Sequence, residues 1–178
     1  MLDRDTIVTA LARLAARLER RGVAGEINLL GGTAMVLAFQ ARQSTKDVDA
    51  IFAPAAVIRE EALGVASDME LAEDWLNDAA KGFASPQGDF RGLADLEFPL
   101  LRVQAPTAEY LLAMKVMAAR VAMDGTGDKE DIRFLIRRLD LTSAGQVMAI
   151  VGRYYDPKQV LPRSMYLVDE ILSEEAGQ

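Results

Sequence analysis

Two aspartates, Asp47 and Asp49, stand one residue apart in "STKDVDAIF", and two glycines, Gly31 and Gly32, precede them in "LLGGTAM". Carboxylates at i and i+2 of a strand point to one side, about 6–7 Å apart along the chain, so their side chains can converge on one cation. Neighbouring anions repel, and a divalent ion relieves that repulsion. The plainer alternative is a solvated strand face paired with Lys46 or Arg42. Glycines at 31 and 32 let the backbone turn sharply and approach a ligand closely, and the helix after them presents unpaired N–H groups suited to phosphate. For the glycines alone, a tight turn without a ligand is the favoured reading. Thr33 adds a hydroxyl. Taken together, these residues match a phosphate cradle beside a two-carboxylate site for Mg2+ or Mn2+.

A second group follows in "EYLLAMKVMAARVAMDGTGDKEDIRFL". Lys115 lies at helical spacing from Leu111, Leu112, Ala119 and Ala122, so it interrupts the apolar face of its helix. A lysine there either snorkels out, pairs with Asp128 or Asp131, or meets a phosphate or nucleotide. Asp128 and Asp131 read first as a helix cap with an acid in the first turn. Arg120 reads as a solvated surface residue.

Composition narrows the chemistry. The 178 residues contain no cysteine and no histidine, which removes disulfides, thiolate nucleophiles, zinc-thiolate sites and imidazole bases. Carboxylates, amines, hydroxyls and backbone remain, and with them hard cations such as magnesium. With 51% hydrophobic and 26% charged residues, the chain has the balance of a globular protein. No apolar run approaches the roughly 20 residues that span a bilayer, and Asp3 and Asp5 stand where a signal peptide would be basic, so the expected location is cytoplasmic with no membrane partner. The net charge of −7 argues against broad nucleic-acid binding by phosphate neutralisation.

The elements that must position these residues follow from periodicity. Asp3 or Asp5 caps a first helix with Ile7, Leu11, Leu14 and Leu18 on one stripe, and Gly22 ends it. A buried strand is predicted over 27–30, a helix through Met35 and Leu37, and an alternating strand in "KDVDAIF" with Val48, Ala50 and Phe52 inward and Asp47, Asp49 and Ile51 on the other face. A helix begins near Pro54, "EDWLNDAAKGF" reads as a further helical stretch, and 84–92 reads as a loop. "LEFPLLRVQ" is a strand that Pro99 makes an edge or a bulged one. Pro106 starts a long helix, and helices follow from Asp128 to Leu139, Ser143 to Tyr154 and after Pro162. The expected fold is α+β, a small mixed sheet packed with helices and a helical C-terminal third. The expected organisation is one domain over 1–178, with an α/β core over about 1–104 and a helical part over about 105–178.

The glycine pair, helix and acid-x-acid strand of "LLGGTAM" and "STKDVDAIF" resemble the signature of the DNA polymerase β-like nucleotidyltransferase superfamily. The segment around Lys115, with a nearby arginine and a following pair of aspartates, resembles the later motif of its AbiEii-type branch, found in toxin–antitoxin pairs, and of its short relatives. The two matches cover roughly 27–52 and 109–135. The resemblance implies a sheet of the nucleotidyltransferase type and a Mg-dependent transfer of a nucleoside monophosphate from a nucleoside triphosphate to an acceptor hydroxyl. In that reading Gly31, Gly32, Thr33 and Lys115 bind the nucleotide, and Asp47 and Asp49 are catalytic and hold the metal. It further implies an RNA acceptor such as tRNA and an antitoxin protein as partner.

The sequence departs from the pattern at one point. Members of the superfamily typically supply a third carboxylate from a later strand, where this chain offers Leu101, Arg102 and Val103; Asp95 and Glu97 are the nearest acids. Two alternatives follow: an antibiotic-modifying nucleotidyltransferase, whose cationic aminoglycoside acceptor suits an acidic chain, or a degenerate nucleotide-binding or interaction module.

Overall fold

Asp3 sets the start of the first helix: its Oδ1 accepts from the Thr6 N–H at 2.9 Å. The computed structural model describes residues 1–119 and 127–177. Helix α1 (Arg4–Arg21) buries Ile7, Leu11, Leu14 and Leu18 completely and ends at Gly22, whose φ of 68° is left-handed. Each such buried aliphatic side chain stabilises the fold by about 1.5–3 kcal/mol.

Strand β1 (Leu2–Asp3) pairs antiparallel with β3 (Ser44–Thr45) in a two-stranded ribbon. Between them run β2 (Gly25–Leu29) and the short helix α2 (Gly31–Leu37). The chain continues through β4 (Val48–Ala53), α3 (Ala55–Met69) and β5 (Leu76–Asn77), then a 3₁₀ turn over Ala79–Phe83, then β6 (Phe90–Phe98) and β7 (Leu101–Pro106). The sheet order is β5-β4-β2-β7-β6, parallel for β2 with β7 and β4 with β5, antiparallel for β2 with β4 and β6 with β7.

Alternation decides which face is covered. Ile27, Leu29, Val48, Ala50, Phe52, Leu101 and Val103 join the side chains of α1 and α3 in one apolar core. The opposite face carries Glu26, Asn28, Asp49, Ile51, Arg102 and Gln104, none of them buried. Helices α1 and α3 are also tied by Arg17 to Asp68 at 2.7 Å and by Arg21 to Glu60 and Glu61 at 2.8 and 3.0 Å.

The structure corrects two local expectations. "LEFPLLRVQ" is two strands, not one: Pro99 and Leu100 make the turn between β6 and β7, where the missing proline N–H takes no ladder bond away. β7 is interior, and β6, irregular between Gly92 and Glu97, is the edge. "EDWLNDAAKGF" is not an α-helix. Trp75 is buried with its indole N–H on the Ala62 carbonyl at 3.0 Å, and Asn77 Oδ1 accepts from the Ala79 N–H at 3.0 Å, a side-chain turn that competes with helix.

The chain divides into two compact units, Met1–Gly82 with Phe90–Pro106, and Phe83–Asp89 with Thr107–Gln178. The second unit holds α4 (Ala108–Ala118), α5 (Gly127–Arg138), α6 (Ala144–Tyr154) and α7 (Pro162–Ala176). Thr107 caps α4, and Ser143 with Gln146 forms a capping box on α6. Segment 83–89 belongs here because its polar groups are used here. The Ser85 N–H donates to the Tyr110 hydroxyl at 2.9 Å, and Asp89 Oδ2 accepts from Thr107 Oγ1 at 2.9 Å and from the Tyr154 hydroxyl at 3.2 Å. Among the described residues the architecture is α+β, with seven α-helices, a five-stranded mixed sheet and the two-stranded ribbon. No helix among them is long and apolar enough to cross a membrane.

Candidate functional site

The glycines, Thr33 and both aspartates lie in the first unit, around the end of β2 and the start of β4. Asp47 sits in the bend just before β4, and Asp49 is the second residue of the strand; both are half-buried. Asn77 on β5 donates its Nδ2 to Asp47 Oδ2 at 3.1 Å, and its register partner is Asp49. The Ala79 N–H on Asn77 Oδ1 fixes which way the amide points. Asn77 was not singled out in the sequence; its signal was Asn-Asp directly after Trp-Leu, a pairing that favours a turn over a helix.

Thr33 is fully buried, and its Oγ1 donates to the main-chain carbonyl of Asp47 at 3.1 Å. The hydroxyl therefore fixes the lead-in to β4, and any contact of Thr33 with a phosphate would come from its backbone N–H. The first turn of α2 has its N-cap at Leu30, which supplies no side-chain cap, and the first intrahelical bond runs from the Ala34 N–H to the Leu30 carbonyl at 3.2 Å.

Both glycines are required by their neighbours. Gly31 has φ 52°, a conformation other residues rarely adopt, and a Cβ built on it would lie 3.0 Å from Asp49 Oδ2. A Cβ on Gly32 would lie 2.6 Å from Thr45 Oγ1, closer than any real contact allows, and 3.7 Å from Arg42 Nη1. Asp49 is drawn to the turn from its backbone too, since the Leu30 N–H donates to the Asp49 carbonyl at 2.8 Å. Missing side chains at 31 and 32 thus let a carboxylate, a hydroxyl and a guanidinium converge on one backbone turn.

The later strands do not complete the carboxylate pair. β6 lies three strand spacings from β4, about 14 Å, so Glu97 cannot share an ion with Asp49. Glu97 is exposed opposite Arg102, and Asp95 is exposed and paired with Arg4. On the face of Asp49, β7 presents Arg102 and Gln104. Among the described residues no group of three or more acids stands together as a metal cage. Two carboxylate donors, both oxygen and both half-buried, still fit the first coordination requirements of a hard cation whose other ligands are water and phosphate.

Lys115 lies in the second unit. Residues 110–116 of α4 are buried on every side, so the lysine does not break one apolar face but sits within an enclosed helix, 9% exposed. Its Nζ is 2.9 Å from Asp128 Oδ1 and 2.7 Å from Asp131 Oδ2, with Asp131 2% exposed. Asp128 lies in the first turn of α5, and Asp131 is the buried partner that the lysine meets in an apolar setting. Arg120, Ala122 and the glycine at 125 lie outside the described residues. No known protein family, characterised protein or solved structure matches this chain.

Proposed function

We propose that the Asp47–Asp49 end of the sheet binds a magnesium-nucleoside triphosphate and passes its nucleoside monophosphate to an acceptor hydroxyl. The observation that carries the reading is the approach of Asp49 to Gly31: a carboxylate and an open left-handed turn share one place, with Asp47 held beside them by Asn77 and Thr33. The order of strand, glycine pair, short helix and antiparallel acid strand supports a sheet of the nucleotidyltransferase type. Asp47 and Asp49 would hold Mg2+ or Mn2+, which when bound offsets phosphate charge as pyrophosphate departs. Gly31, Gly32 and Thr33 would meet phosphate oxygens through backbone N–H groups aimed away from α2. Lys115, the further nucleotide contact that the resemblance implies, would exchange its contacts with Asp128 and Asp131 for a phosphate.

The resemblance favours an RNA acceptor and an antitoxin partner, whereas the net charge of −7 favours a cationic small molecule. Label transfer from a nucleoside triphosphate to tRNA, set against transfer to aminoglycosides, separates the two.

A second reading, a module that binds nucleotide without transferring it, is favoured by one observation: Arg102 and Gln104 occupy the β7 positions on the Asp49 face. Calorimetric titration of each magnesium-nucleoside triphosphate into the wild type and Asp47→Asn/Asp49→Asn tests the shared premise. Binding lost in the double variant is the expected result; a folded wild type that binds none of them sinks both readings.

A further inference from the structure

A triphosphate carries more negative charge than one divalent ion removes, so the nucleotide reading requires a protein cation at the glycine turn. Arg42 is the guanidinium placed at that turn. Its Nη1 lies 3.7 Å from where a Cβ on Gly32 would stand.

Two further features keep it there. Arg42 leads into β3, which the pairing of Ser44 and Thr45 with Asp3 and Leu2 pins in place, and Thr45 itself packs against Gly32. Arg42 also lines an open hollow of about 340 Å³ with Asp3, Arg4, Asp5, Val36, Gln40 and Gln43. Gly32 and Val36 are one turn apart on α2, so this hollow begins one turn along the helix from the glycine pair.

We propose that Arg42 is the cation that contacts the phosphate chain of the bound nucleoside triphosphate. Resting on the nucleotide reading above, this assigns to Arg42 the phosphate contact that the sequence suggested for Lys115. A guanidinium presents a planar fork that matches two phosphate oxygens at once, which a lysine at the same place cannot reproduce.

The test measures binding of the triphosphate that the wild type takes, and of the matching monophosphate, to the wild type, Arg42→Gln and Arg42→Lys in the presence of magnesium. Arg42→Gln should weaken triphosphate binding about tenfold or more while changing monophosphate binding by about twofold or less, with Arg42→Lys between. Equal weakening of both ligands, or none, overturns the assignment and leaves the nucleotide reading standing. A wild type that binds no triphosphate overturns both. Should Arg42→Gln fail to fold, Arg42→Lys decides alone: an unchanged triphosphate preference in it overturns the bidentate contact.

Discussion

Asn77 Nδ2 donates to Asp47 Oδ2 at 3.1 Å across the β4–β5 pair, so a strand only two residues long sets the direction of a candidate metal-binding carboxylate. Removing that donor should act on ligand binding more than on stability, because a single part-buried hydrogen bond contributes about 1 kcal/mol. Asn77→Ala is expected to weaken magnesium-nucleotide binding about tenfold while lowering unfolding free energy by about 1 kcal/mol. Asn77→Asp, which sets a third anion against Asp47, should weaken nucleotide binding further at low magnesium and recover as magnesium rises. Calorimetry with parallel urea denaturation checks both; binding unchanged in Asn77→Ala would show that the Asp47 orientation does not matter to the site.

The glycine pair gives a sharper steric test. A Cβ at 32 would meet Thr45 Oγ1 at 2.6 Å, and Thr45 is buried within the β1–β3 ribbon and cannot swing away freely. Gly32→Ala should therefore destabilise the first unit by about 1–3 kcal/mol, the usual range for overpacking. In a Thr45→Ala background the cost should shrink, since the clashing oxygen is gone. A double-mutant cycle by urea denaturation measures this coupling, and additive costs would mean the backbone yields instead.

Most of this frame was legible in the chain because its signals are local. Asp3, the stripe from Ile7 to Leu18 and Gly22 define α1, and the alternation from Val48 to Phe52 defines the buried face of β4. What escaped depends on partners far along the sequence. Asn77 means little until β5 lies beside β4, and Arg42 means little until Gly32 leaves space against it. Pro99 reads locally as a defect in one strand because nothing local shows that Leu101–Pro106 turns back to pair with both β6 and β2. Lys115 is the contrary case: its pairing with Asp128 or Asp131 is among the sequence readings, and the structure joins it to both.

Stability should fall at both ends of the pH scale. Arg17 holds Asp68 below the usual carboxylate range, Lys81 and Arg59 do so for Asp78, and Lys129 and Arg137 do so for Glu174 and Glu175. A depressed native value means stability present above the unfolded value and lost as pH drops through the native one, so the acid limb lies below about pH 4. These pairs are exposed, and the limb should flatten in high salt. Burial raises Tyr110, Tyr154 and Tyr155, so the second unit should lose stability as pH climbs beyond about 10, where the unfolded tyrosines ionise first. Urea midpoints from pH 3 to 11 with tyrosinate absorbance report both limbs; tyrosines that ionise in the folded protein as early as in the unfolded chain would contradict the alkaline one.

Lys115 and Asp131 offer the largest expected change in stability. With Nζ 2.7 Å from Oδ2 and the two residues 9% and 2% exposed, each charge is tolerated only because the other is present. Asp128, its side chain 38% exposed, can turn to water if the lysine is lost, whereas Asp131 cannot. Lys115→Met should therefore cost about 3–5 kcal/mol, most of it the penalty of an unpaired buried carboxylate. Lys115→Met/Asp131→Asn removes that charge and should regain much of the loss, although its amide still needs a hydrogen-bond partner. Denaturant unfolding of both variants and of Asp131→Asn closes the cycle. A cost below about 1 kcal/mol for Lys115→Met would mean that the lysine is not required to compensate Asp131, and would return it to consideration as a group kept for an incoming phosphate.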